Sequence, residues 1–140
     1  MATFPFELVS PERLLVSEQA EEVVAPGTEG EFGVLAGHAP FLSTLKPGIV
    51  TVKLPGGRVQ KLFVRGGFAE VNSTGLTILA EQAIPLEDLD PAHIDAEIRD
   101  AETDVADATT EATRQRAQEQ LDRLRELKAA LAAGAAATHH

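Results

Sequence analysis

The sequence predicts a mainly β N-terminal half, an antiparallel sandwich or flattened barrel of many short strands, followed by a C-terminal antiparallel two-helix hairpin. Three observations predict it. Apolar residues fall in short alternating runs up to about residue 86, then recur at spacings of four and three. All six phenylalanines lie between Phe4 and Phe68, so the large core-building rings sit in the first half. No helix-length segment separates the early runs, which argues against a doubly wound parallel sheet. The expected boundaries are a sandwich over 1–86, a hairpin over 87–134 and a flexible tail over 135–140.

The strands follow in order. Phe4-Pro-Phe6-Glu-Leu8-Val9 alternates, and Pro5 predicts an edge position. Two further extended runs are Arg13–Val16 and Glu22–Ala25. A glycine- and proline-rich block from Gly27 to Gly48 reads as one long shaped loop, because glycine is entropically costly where its freedom is not used. Ile49–Leu54, the turn Pro55-Gly-Gly57 and Arg58–Arg65 form a strong hairpin signal. Gly66-Gly67 breaks the run, Phe68–Asn72 resumes it, Ser73-Thr-Gly75 turns, and Leu76–Ala80 closes the series.

The helices open with Asp90 as N-cap and Pro91 as first helical residue. Ile94, Ile98, Ala101, Val105 and Ala108 share one helical face. Thr109 or Thr110 is placed to cap a second helix carrying Ala117, Leu121, Leu124, Leu127 and Leu131. Residues 87–111 hold ten acids against Arg99 alone. Residues 112–140 hold five bases against three acids. An antiparallel pair sets the acidic helix beside the basic one, but exposed pairs are individually worth only about 0.2–1 kcal/mol. Alanine fills three of the ten stripe positions and no aromatic anchors the seam. The hairpin is therefore expected to dock weakly and to open more readily than the sandwich.

Composition removes several function classes. A formal charge of −10 disfavours a nucleic-acid backbone or an anionic membrane surface as main partner. The absence of cysteine excludes disulfides, thiolate metal sites and cysteine nucleophiles. No apolar run approaches the roughly 20 residues needed to span a bilayer, so no direct membrane insertion is expected. Glu29, Glu31 and His38 share the glycine-rich block, but one histidine and two nearby glutamates supply neither converging acid–base partners nor three or four metal ligands. The glycines lack the strand–loop–helix setting and Lys-Ser/Thr pair of a phosphate loop, and no serine sits in a Gly-x-Ser-x-Gly context. No cofactor or metal is expected, and a structural or interface role is.

Five ordered blocks then carry a resemblance: Gly30-Glu-Phe-Gly33, Gly37-His-Ala-Pro40, Leu45-Lys-Pro-Gly48, Gly66-Gly-Phe-Ala-Glu-Val71 and Leu79-Ala-Glu-Gln-Ala83. Their order and spacing over residues 3 to about 90 resemble the epsilon subunit family of bacterial F-type ATP synthase, which is similar to the mitochondrial delta subunit. The resemblance implies a ten-stranded sandwich, a helical hairpin and a noncatalytic central-stalk role in the rotor. It implies that the sandwich binds the gamma subunit and rests on the c-subunit ring, with Glu29, Glu31 and His38 at the ring contact. It also places the chain peripherally at the cytoplasmic face of the bacterial inner membrane. In relatives whose hairpin extends and restrains hydrolysis, the second helix enters the alpha/beta hexamer. That carries a beta-subunit contact over to Arg114, Arg116, Arg123, Arg125 and Lys128.

One departure concerns nucleotide. Some relatives bind ATP through Ile/Leu-Asp-x-x-Arg-Ala in the first helix. Here Ile94-Asp95 is followed by Ala-Glu-Ile-Arg99, so the arginine falls one position late, a turn of about 100° around the helix. Asp100, Glu102, Asp104 and Asp107 would repel a polyphosphate. No useful ATP binding by the isolated subunit is expected.

Overall fold

The computed structural model describes residues 2–137 and divides at Leu86 into two compact units. The first unit is a β-sandwich of eight strands: β1 Phe4–Val9, β2 Leu14–Ala20, β3 Glu22–Gly27, β4 Gly30–Leu35, β5 Phe41–Thr44, β6 Gly48–Lys53, β7 Val59–Asn72 and β8 Gly75–Pro85. They form one hydrogen-bonded sheet in the order β2-β1-β8-β7-β6-β3-β4, with β5 pairing β7.

Two long strands turn this one sheet into two layers. β7 pairs β8 in a single antiparallel register from Leu62↔Pro85 to Asn72↔Gly75. Its first half also pairs β6, while its second half pairs β5. The first half of β8 pairs β1. Folded at Gly66 and Gly67, which have φ of 67° and 109°, the sheet stacks β2, β1, β8, β7 and β5 over β8, β7, β6, β3 and β4. β7 and β8 contribute one half to each layer. The expected count of about ten strands thus corresponds to eight, two of them shared. Gly66-Gly67 bends the chain without ending the strand.

Alternation puts one face of every strand inward. Phe4, Phe6 and Leu8 of β1, Val50 and Val52 of β6, Leu62 and Val64 of β7, and Leu76 and Ile78 of β8 form the core. Full burial of each large apolar side chain contributes about 1.5–3 kcal/mol.

Two local expectations need correction. β1 is not an edge strand: it pairs β2 antiparallel and β8 in parallel. Pro5 is tolerated because the pairing to β8 starts only at Phe6. The block from Gly27 to Gly48 is not one loop, since it contains β4 and β5. β4 pairs β3 from Glu22↔Leu35 to Gly27↔Gly30, and short turns join the strands. Only Val34 of β4 is buried, so the strand gives almost no apolar alternation to read.

The second unit is an antiparallel pair, α1 Pro91–Asp107 and α2 Glu111–Ala137. The Asp90 side chain accepts a hydrogen bond from the Ala92 amide at 3.0 Å, and Pro91 follows as first helical residue. Thr110 caps α2 reciprocally with Thr113. The Thr113 amide donates to Thr110 Oγ1 at 3.2 Å, and the Thr110 amide donates to Thr113 Oγ1 at 3.3 Å. Helix α2 continues three residues past the expected end at 134, and His139 and His140 lie outside the described residues. In the seam Ala101, Leu121 and Leu124 are buried, with Ile98 and Val105 packed against them, and Ile94 and Leu127 are buried as well.

Candidate functional site

Glu29, Glu31 and His38 do not converge. Glu29 sits in the two-residue turn between β3 and β4, and Glu31 is the second residue of β4. His38 lies in the Ala36–Pro40 connection beyond the other end of the same strand. The six residues of β4 separate the two ends by roughly 17 Å at 3.3–3.4 Å per residue. All three instead line one strand whose only named partner is β3, so they follow a free edge of the sandwich.

Each end of that edge is held by local bonds. At the glutamate end the Thr28 amide donates to the Thr44 carbonyl at 3.0 Å, and the two threonine hydroxyls meet at 2.7 Å. The Lys46 amide donates to the Pro26 carbonyl at 3.0 Å. At the histidine end the His38 amide donates to the Leu35 carbonyl at 3.1 Å. His38 Nδ1 lies 2.6 Å from the Ala39 carbonyl oxygen. That oxygen only accepts, so Nδ1 carries the proton. The imidazole stands edge-on to Phe41 at 6.0 Å, and Phe41 packs edge-on to Phe32 at 5.1 Å. His38 is thus half-buried by ring contacts and oriented by backbone.

A groove of about 450 Å³ lies between this connection and the Asn72–Gly75 turn. Its chemistry is sparse. The Asn72 carboxamide oxygen is taken by the amide and hydroxyl of Thr74, and His38 is the only titratable side chain in the lining. Nothing there pairs an acid with a base. Among the described residues, no group of three or more His, Asp or Glu side chains is placed to hold a metal.

A second surface is not visible in the sequence pattern. Val9 pairs Leu14 and Leu79, and Leu79 pairs Phe68. Cross-strand partners share a face, so Leu14, Val9, Leu79 and Phe68 form an apolar row across four strands, on the face turned away from the core. Leu14 is 54%, Leu79 41% and Phe68 42% exposed, and Leu42 on the neighbouring strand is 68% exposed. A shallow groove of about 450 Å³ runs along it past Ser10 and Pro11. No single run betrays this row, because each strand supplies one member.

In the hairpin, Lys128 and Arg125 cross to the acidic helix. Lys128 Nζ lies 2.8 Å from Asp95 Oδ1, and Arg125 lies 3.4 Å from Glu102. Arg114 pairs Glu111 within α2 at 3.8 Å. Arg116 lines a cleft at the helix joint beside Asp104 and Asp107. Arg123 also has an interaction of its own. No helix among the described residues is long and apolar enough to cross a membrane.

The pattern of the ATP synthase, Delta/Epsilon chain, beta-sandwich domain matches residues 3–86. The chain belongs to the ATP synthase delta/epsilon family. The ATP synthase epsilon chain of Parvibaculum lavamentivorans is 57% identical over 123 residues, covering 88% of this chain and 93% of that one. The ATP synthase epsilon chain of Mesorhizobium japonicum is 49% identical over 128 residues, covering 91% and 95%. Among solved structures, a chain of the Euglena gracilis mitochondrial ATP synthase, in a structure of OSCP, F1 and c-ring, superposes with a TM-score of 0.74. It is 32% identical, with 94% of this chain and 82% of that chain covered. The delta/epsilon likeness thus reaches beyond the sandwich into the helices.

Proposed function

We propose that this chain is the epsilon-type central-stalk subunit of a proton-translocating F1Fo ATP synthase, noncatalytic in itself, joining gamma to the c-subunit ring. Family membership supports the assembly, and the exposed apolar row Leu14–Val9–Leu79–Phe68 carries the contact with gamma. Four apolar side chains aligned on one outer face are the kind of patch that binds protein. The free β4 edge, with Glu29, Glu31 and His38 along it, faces the c-ring. Catalysis stays on the alpha and beta subunits, and the ring holds this chain at the cytoplasmic face of the inner membrane.

Leu79→Glu tests the gamma contact. A charge set into the middle of that row is expected to weaken capture of gamma about 30-fold or more, the loss of one central anchor. Leu79 is already part-exposed, so the melting temperature should hardly move. Undiminished capture of gamma would remove this face from the interface.

The hairpin adds control: when extended, its basic second helix meets acidic residues on beta and restrains ATP hydrolysis. A chain ending at Asp88 is therefore expected to assemble with gamma and the ring, and to raise ATP hydrolysis by the complex. An unchanged rate would rule out restraint by the hairpin; loss of assembly would contradict the division of labour between sandwich and helices.

A further inference from the structure

We propose that Asp95–Lys128 and Glu102–Arg125 form an electrostatic latch, which holds the hairpin shut by occupying basic groups that α2 would otherwise present to an acidic partner. The two pairs bridge different helices at 2.8 and 3.4 Å. Their places matter more than their number. Glu102–Arg125 lies within the seam formed by Ile98, Ala101, Val105, Leu121 and Leu124. Asp95–Lys128 lies beyond Ile98, the member of that cluster on α1 farthest from the joint. It therefore clasps the end of the hairpin far from the joint, beside the buried Ile94 and Leu127. Pairs worth about 0.2–1 kcal/mol each shift opening by roughly 1.4- to 5-fold apiece. The first helix is in this respect a built-in competitor for the basic face of the second.

The latch also accounts for the one-sided charge of the first helix. Helix α1 holds six acids against Arg99, and α2 five bases against four acids, so the closed hairpin sets basic groups of α2 beside the surplus acids of α1. The regulatory consequence rests on the reading that the basic face meets the alpha/beta hexamer; the latch itself does not.

The test uses hydrogen exchange of α1 amides in the full chain. At low salt, Lys128→Glu should speed exchange several-fold, and Asp95→Lys combined with Lys128→Glu should restore it. Around 0.5 M salt the difference should collapse, because the screening length falls to about 4 Å. Equal exchange in wild type and K128E, or no recovery in the swap, overturns the latch. Asp95→Asn with Glu102→Gln frees Lys128 and Arg125 without altering them, so ATP hydrolysis by the assembled complex should fall. Faster exchange with unchanged hydrolysis would support the latch and overturn the hexamer contact.

Discussion

Gly67→Ala is expected to destabilise the sandwich by about 4 kcal/mol or more, which ranks among the largest single-substitution effects. A Cβ at Gly67 would overlap the Leu79 carbonyl oxygen, and would lie 2.9 Å from the Ala80 Cα and 3.0 Å from the Leu79 carbonyl carbon. All three are backbone atoms of the paired strand, so no side chain can swing aside. The φ of 109° adds strain for any residue with a Cβ. Gly56→Ala separates the two effects. Gly56 has φ of 85°, but a methyl group there would meet nothing within 4 Å, so only the conformational cost of about 1–2 kcal/mol applies. Against a total of about 5–15 kcal/mol for a domain, the first substitution removes much of the reserve. Urea unfolding followed at the β7–β8 amides measures both. A loss below about 2 kcal/mol for G67A would mean that the two strands can separate at the bend without losing the layers.

Leu121→Ala combined with Leu124→Ala is expected to unfold α1 while leaving the sandwich intact. Each buried leucine truncation costs about 2–5 kcal/mol, and these two are the leucines that pack against Ala101, Ile98 and Val105 of α1. The helices would then respond differently. α1 has only 17 residues, and on it Asp100 and Asp104 stand four apart, with Glu97 and Asp107 three residues further out. Like charges at such spacings destabilise by a few tenths of a kcal/mol each, and short isolated helices are marginal in water. α2, with 27 residues rich in alanine, arginine and leucine, keeps more of its helix. Segment-resolved hydrogen exchange should show loss of protection over residues 91–107 and none over β6–β8. Retained protection of α1 would mean that the seam is not what holds it.

The regular parts of this fold were legible because local chemistry and tertiary context agree. Asp90-Pro91 caps and starts a helix by its own bonds, and the Pro55-Gly56-Gly57 turn supplies dihedrals that few other residues adopt. β4 and β5 were not legible. β4 lies at an edge with one buried residue, so neighbouring strands, not an internal pattern, make it extended. The two runs read on either side of Gly66-Gly67 are one strand, because glycine marks a bend inside a strand as readily as an end. Closeness in sequence is not closeness in space: Glu29, Glu31 and His38 fall within ten residues, yet β4 keeps Glu29 and His38 at opposite ends. The apolar row was invisible for the opposite reason, since Leu14 and Phe68 become neighbours only through two intervening strands.

β7 and β8 run unbroken from one layer into the other, and that has a mechanical meaning. In a sandwich joined only by surface loops, side-chain packing alone resists sliding of one sheet over the other. Here two adjacent, mutually hydrogen-bonded strands act as a covalent strap across the fold. A sideways load applied to the layer bearing Phe68 and Leu79 reaches the layer bearing β4 through main-chain bonds in tension, with little shear left for the core to absorb. Such a block resists the sliding of one layer over the other.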